Sequence, residues 1–298
     1  MCRLTFAAVA ALVVLSPVVD LQAQQVPGRD LYQFPLGTLA EPATLATAAG
    51  GGLWNPATIA LPDDERVLLS ATSLNTPIEQ AVSAQLGTFA YRLRQRLTVG
   101  LQVAQASVTD LIRTDTDPQS IGDEIPYRST ILSAVAAASR GGSSLGIAVR
   151  RRSGEADLTT GHATSVDVGG IIDRPAGLPL RLAASTFLRS VTGKGDRVVT
   201  LAAAEARIPY KPADVRAGLA WQRERESGSE TFLFGSARTK MLELRGGLAR
   251  QSSYGSVTTR LRLGLGLRYA RYLVGVAREE GTAGLGSSYQ FLLTTVFH

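Results

Sequence analysis

The stretch 256–269, SVTTRLRLGLGLRY, constrains the chain more than any other. Val257, Thr259, Leu261, Leu263, Leu265, Leu267 and Tyr269 occupy alternate positions, and Thr258, Arg260, Arg262, Gly264, Gly266 and Arg268 lie between them. Successive side chains of a strand point to opposite faces, so extended backbone separates the two sets. A helix would scatter the arginines round its circumference. RLTVGLQVAQ repeats the pattern, with Leu97, Val99, Leu101 and Val103 against Thr98, Gly100, Gln102 and Ala104. MLELRGGLAR sets Leu242, Leu244 and Leu248 against Glu243, Arg245 and Ala249, and LRLAASTFLR sets Leu180, Leu182 and Leu188 against Arg181, Ser185 and Arg189.

An apolar sheet face needs an apolar neighbour, either a second sheet or lipid. Globular strands cluster near about five or six residues. The alternation here persists for about 10–13 residues, close to the roughly 9–11 that a tilted membrane strand needs. The polar face is Gly, Ala, Ser, Thr and Arg, which suits a watery lumen. Lipid cannot satisfy exposed backbone, so a spanning sheet must close on itself. The expected fold is all-β, a transmembrane barrel of fourteen antiparallel strands over 66–74, 82–94, 96–108, 127–139, 144–152, 160–172, 179–190, 197–208, 214–225, 231–238, 241–250, 256–269, 271–279 and 287–297. The number is even, as in bacterial barrels. In 82–94 the apolar phase slips between Leu86 and Phe89, which predicts a bulge near Gly87. Tyr91, Tyr127, Trp221, Tyr269, Tyr272, Tyr289 and Phe297 sit near strand ends, where interfacial girdles belong. The odd-numbered connections are longer on average, the asymmetry of outer-membrane barrels with long loops outside.

Composition removes the competitors. Hydrophobic residues make up 45% of 298, with a net charge of +6, which excludes a disordered chain. The single cysteine, Cys2, and two histidines exclude a disulfide scaffold and a His/Cys zinc cluster. Residues 1–23 carry Arg3, an apolar run from Leu4 to Val19 and a small residue at Ala23, the layout of a cleaved secretory leader. The rival is an anchoring helix, but the run is short for a span and Pro17 interrupts it. The chain thus divides into a leader (1–23), an N-terminal segment (24–65) and a barrel (66–298), with the outer membrane as destination.

Residues 43–60, ATLATAAGGGLWNPATIA, place Trp54, Asn55, Pro56 and Ala57 just before the first strand. This resembles the start of the FadL-like outer-membrane family, which includes long-chain fatty acid transporters and PorV/PorQ-type proteins of a bacterial secretion system. The end is similar too: GLGLRYARYLVGVAREEGTAGLGSSYQFLLTTVF has that family's rhythm of glycine-rich strand, tight turn, strand, Gly-rich loop and last strand. Such barrels end on an aromatic, whereas His298 follows Phe297 here. The resemblance implies fourteen strands plugged by an N-terminal segment. Pro42 and Pro56 exclude 36–60 from any ladder. That stretch is expected to form a plug or periplasmic collar, held through Leu53, Trp54 and Ile59, with a short helix over 42–49.

Phase sends to the lumen Arg92, Arg94, Arg128, Arg150, Arg152, Arg181, Arg189, Arg207, Arg216, Arg245, Arg260, Arg262, Arg268 and Arg271, against the acids Asp167, Glu205, Glu224 and Glu243. Two readings follow. The arginines and acids form a rigidifying ladder, or the excess positive charge selects anions, including the carboxylate of an amphipathic molecule. Arg260, Arg262, Arg268, Arg216, Arg181 and Arg150 are the foremost lumen candidates. No catalytic set is expected: His162 lies on the face opposite Ser165 and Asp167, and no nucleophile elbow or metal-binding histidine pair is present. The acids within 114–124 lack calcium-loop spacing, and GKG at 193–195 is too short for a phosphate loop. No cofactor, metal or nucleic acid is expected. The expected partners are outer-membrane lipid, a hydrophobic or anionic small molecule, and the barrel-assembly machinery acting on the C-terminal strand. A channel or transporter and a structural or secretion-associated barrel remain the competing functions.

Overall fold

The structure is a computed structural model that describes residues 26–33, 35–77, 81–109, 111–112, 124–191, 198–224, 228–253, 255–281 and 286–298. The leader and its cleavage point lie outside the described residues, as do the GKG triplet and, apart from Glu124, the acids of 114–124.

Fourteen strands form: β1 (Val67–Asn75), β2 (Val82–Arg94), β3 (Leu97–Val108), β4 (Tyr127–Arg140), β5 (Ser143–Ala156), β6 (Thr159–Asp173), β7 (Leu180–Phe187), β8 (Val199–Ile208), β9 (Asp214–Glu224), β10 (Gly228–Arg238), β11 (Leu242–Ser253), β12 (Ser256–Tyr269), β13 (Tyr272–Glu279) and β14 (Ser288–Phe297). Each pairs antiparallel with its sequence neighbours. β1 pairs with β14 from Val67↔Phe297 to Asn75↔Tyr289, which closes the barrel and removes every sheet edge.

The alternation sets the facing. Along β12, Leu261, Leu263, Leu265 and Leu267 are exposed on the outer surface, while Arg262, Gly264 and Gly266 are buried inside. β3 and β11 follow the same rule, and Phe89, Leu132, Ile147, Leu219, Leu233 and Phe291 extend the apolar exterior round the wall. Tyr269, Tyr272 and Phe297 cluster beside the starts of β1 and β13. This terminal end carries the short connections, such as 95–96, 141–142 and 270–271. The opposite, loop end carries 76–81, 109–126, 188–198 and 280–287.

The expected bulge at Gly87 is not there. Pairing of β2 with both neighbours is continuous through Gly87, and the irregularity lies at Arg92/Arg94. Leu86 faces inward and is buried in an apolar cluster with Leu36, Leu53 and Leu74, while Phe89 faces outward. The phase slip recorded an apolar patch inside the barrel, not a defect in the ladder. β7 is regular only to Phe187, but its pairing with β6 resumes at Ser165↔Ser190 with one extra residue on the β7 side, so the expected end at 190 is reached across a bulge. Leu188 takes a positive φ of 58° and turns into the interior, against the outward placement expected for it. Arg128 belongs to the outer phase, because its neighbour Ser129 is buried; it pairs with Glu155 at the rim, 2.6 Å away.

Candidate functional site

Residues 26–33 and 35–62 run inside the barrel, so the collar arrangement does not apply. Leu53, Trp54 and Ile59 are almost completely buried, as expected. The helix expected over 42–49 is displaced to one turn at Ala48–Gly51. The reason is local. The Thr44 carbonyl, which would cap a helix through residue 48, instead accepts from the Asn55 side-chain amide at 2.8 Å. The Thr47 backbone N–H donates to the Glu41 carboxylate at 3.0 Å.

Trp54, Asn55, Pro56 and Ala57 converge on β5, β6 and β7. The Trp54 indole N–H donates to the Leu36 carbonyl at 2.8 Å, and its ring packs on Phe187 with centroids 4.6 Å apart. Its carbonyl accepts from the Ser185 hydroxyl at 3.0 Å. Asn55 caps a turn of 3-10 helix at Pro56–Ile59, its side-chain oxygen accepting the Ala57 N–H at 3.0 Å. The Ala57 carbonyl takes the Ser144 hydroxyl at 2.9 Å. The wall yields to this motif through two glycines. A Cβ on Gly146 would stand 2.3 Å from the Pro56 carbonyl carbon, and one on Gly169 would stand 2.0 Å from the Asn55 side-chain oxygen. Only glycine lets the two backbones approach this closely.

Five of the six foremost arginines divide among three places. Arg150 sits behind the Trp54–Asn55 turn. Its Nε lies 2.6 Å from Asp167, and it reaches the Gly52 carbonyl at 3.3 Å. Asp167 also accepts the backbone N–H groups of Leu188 and Arg189, at 3.1 and 2.8 Å, so a side chain completes the wall where β7 ends. Arg260 and Arg262 interlock with Glu230 and Glu279, the shortest contacts being 2.8 Å, and Arg262 lies over the Phe232 ring. Arg181 and Arg216 share Glu205, and Arg216 also holds Asp214 at 2.9 Å. Nearby, Arg245 bridges Glu243 to Glu41 of the luminal segment. Arg268 has no ion-pair partner among the described residues.

These contacts revise the charge balance. Glu41, Asp214, Glu230 and Glu279 join the acids read from phase, so most interior arginines are neutralised. Glu230 escaped detection because it was assigned to a loop, and Glu41 because nothing in a strand pattern reports on a segment threaded through it. The excess that would make an open anion-selective lumen is largely absent among the described residues.

Space remains at the terminal end. A cavity of about 530 Å³ is bounded by Glu41, Leu45, Leu68, Arg181, Glu205, Arg216, Phe234, Arg245, Arg268 and Leu273. Glu65 borders it from the chain entering β1. Burial, reinforced by Asp64, holds its carboxyl above the usual range, against the opposing charges of Arg268, His298 and Arg92. Deeper in the lumen, a small cavity of about 30 Å³ lies between Trp54, Leu201 and Phe232.

No family model matches the chain, and no curated protein matches it. Solved structures do. A CymD monoaromatic hydrocarbon channel is 10% identical over 94% of this chain and 99% of its own, with a TM-score of 0.62. A TodX deltaS2S3 mutant monoaromatic hydrocarbon channel is 9% identical over 87% of this chain and 97% of its own, with a TM-score of 0.56. This chain shares their barrel fold.

Proposed function

We propose that the chain is an outer-membrane channel of FadL-like type, plugged by its own N-terminal segment, which passes small hydrophobic or amphipathic anionic molecules. The longer connections face the exterior, and the terminal end faces the periplasm. The observation that carries this reading is the cavity of about 530 Å³, a size within the roughly 300–1,000 Å³ of small-molecule sites. Its lining is amphipathic, with Leu45, Leu68, Phe234 and Leu273 beside Arg181 and Arg216, which are paired with Glu205 and Asp214, and Arg268, which is left to meet an anionic group. CymD and TodX, whose barrel fold the chain shares, are monoaromatic hydrocarbon channels, which supports the apolar half of the proposal.

Passage requires the segment to shift, because the lumen beside Trp54 is nearly full. The test is uptake of toluene and of octanoate by proteoliposomes, together with planar-bilayer conductance, for the parent and for a 36–60 deletion. The parent should take up at least one probe with low ionic conductance, and the deletion should conduct. A folded parent that takes up neither probe, with a deletion that stays silent, would sink the proposal.

A second reading, a structural or secretion-associated barrel of PorV/PorQ type, draws on the neutralised arginine ladder. That ladder braces the interior as a scaffold requires. Stoichiometric capture of an envelope protein, combined with absent uptake, would favour it. In either case β14, ending at Phe297, is the strand offered to the barrel-assembly machinery.

A further inference from the structure

The luminal segment crosses the barrel once, and its direction has a topological consequence. At the far end of the crossing, the Leu61 N–H donates to Thr98 at 3.2 Å, Arg92 donates to the Asp63 carbonyl, and His298 contacts the Asp64 carbonyl. All three barrel partners lie at the terminal end, beside the starts of β1 and β3. The beginning of the segment is held at the opposite end. Arg152, buried on β5, donates one guanidinium nitrogen to the Pro27 carbonyl at 2.8 Å and the other to the Val26 carbonyl at 2.7 Å. Pro27 lies against Gly154 and Gly161, Arg29 pairs with Glu224 at 2.8 Å, and the Tyr127 hydroxyl donates to Asp30. Tyr127 begins β4, Glu224 ends β9, and Gly154 and Gly161 flank the β5–β6 connection. All of these mark the loop end.

We infer that the chain upstream of Val26 emerges at the loop end and that the mature N-terminus is displayed on the cell exterior. The inference rests on the orientation proposed above. Cleavage near Ala23 would leave only a few residues ahead of Val26. At about 3.3–3.6 Å per residue they cannot return through an apolar band about 25 Å tall. The two carbonyls gripped by Arg152 fix the exit, because a guanidinium fork holds two acceptors at once. The same geometry requires the leader to be free of its insertion site before the barrel closes. A leader still embedded in the inner membrane would have to be reached by a second pass through a filled lumen.

The experiment uses the full-length chain with Cys2, its only native cysteine and part of the expected leader, replaced by serine. Gln25→Cys is labelled on intact cells with a membrane-impermeant maleimide. Leu158→Cys, highly exposed between β5 and β6, reports the loop end, and Lys240→Cys, between β10 and β11, reports the terminal end. An epitope inserted directly before Val26 gives a second readout, and heat-modifiable mobility checks folding of every variant. The expected result is Gln25→Cys labelling at the level of Leu158→Cys, with Lys240→Cys labelled only after permeabilisation. Labelling of Leu158→Cys but not of Gln25→Cys or the epitope would overturn the display while leaving the orientation intact. Labelling of Lys240→Cys alone, or of none of the three, would overturn the orientation and the display with it.

Discussion

Arg150 and Asp167 meet at 2.6 Å inside the barrel wall, with neither side chain reaching solvent. Asp167 simultaneously replaces the backbone acceptors that β7 loses beyond Phe187. One carboxylate therefore neutralises a buried cation and bridges an interruption in the ladder, which resumes at Ser165↔Ser190. Removing one partner of a buried pair leaves the other charge uncompensated, which costs about 3–5 kcal/mol. Asp167→Ala should fall in that range and should loosen the β6–β7 seam. Arg150→Met paired with Asp167→Asn should recover part of the loss. Urea unfolding of the purified barrel, followed by tryptophan fluorescence, measures both. If Asp167→Ala unfolds at the parent's urea midpoint, this account is wrong.

Leu263 and Arg262 are neighbours on opposite faces of β12. An arginine at mid-membrane on the lipid face costs roughly 2–4 kcal/mol, so Leu263→Arg should impair assembly. Phase alone makes Arg262→Leu the milder change. The structure instead places Arg262 between Glu230 and Glu279, and its loss should cost about as much. The two variants differ in rescue. Adding Glu279→Gln, which leaves Glu230 to pair with Arg260, should partly restore Arg262→Leu and leave Leu263→Arg unaltered, read as the folded fraction in semi-native electrophoresis.

Gly146 and Gly170 separate a close approach from open space. Gly146→Ala drives a methyl into the Pro56 backbone, whereas Gly170→Ala meets nothing closer than 3.8 Å. The first should displace the Asn55–Ala57 turn and raise single-channel conductance; the second should not. Equal conductance in both would mean that the turn does not obstruct passage.

Trp54→Phe retains the ring contact with Phe187 and removes the donor to the Leu36 carbonyl. A buried acceptor left alone costs about 1–3 kcal/mol. Stability should drop by that amount with the barrel intact. Calorimetry of Trp54→Phe beside Trp221→Phe, whose ring faces the outer surface, checks that the loss is specific to the interior.

The barrel was legible because lipid and lumen impose opposite demands on alternate residues, and β3, β11 and β12 obey them along their length. The pattern failed where a third environment intervened. Leu86, Leu188 and Phe232 are apolar yet point inward, because the luminal segment offers them apolar cover. A two-sided model has no place for that cover. The turn at Trp54–Ala57 was visible from its proline and its position, but its seat at Gly146 and Gly169 was not, since glycine in a strand has several causes. Arg150, Arg152, Arg181, Arg216, Arg245, Arg260, Arg262 and Arg268 stand on the inner phase as expected, whereas Arg128 is on the outer phase, Arg94 lies beyond a register shift opposite outward Leu97, and Arg271 sits over the rim aromatics Tyr272 and Phe297. The arginines' partners were undercounted because Glu41 arrives from the segment and Glu230 from what phase treated as a loop.

The fit between Asn55–Pro56 and the glycines of β5 and β6 bears on the order of assembly. The Asn55–Pro56 turn lies against the wall at Gly146 and Gly169, a fit more readily made while the strands are still open than by threading a finished cylinder. On that ground the strands should wrap the segment as they zip, with the nine-pair seam between β1 and β14 closing around it. Residues 26–62 then act as a mandrel that sets the barrel's bore. A chain lacking them should close more slowly, and to a less uniform circumference, even where every strand is intact.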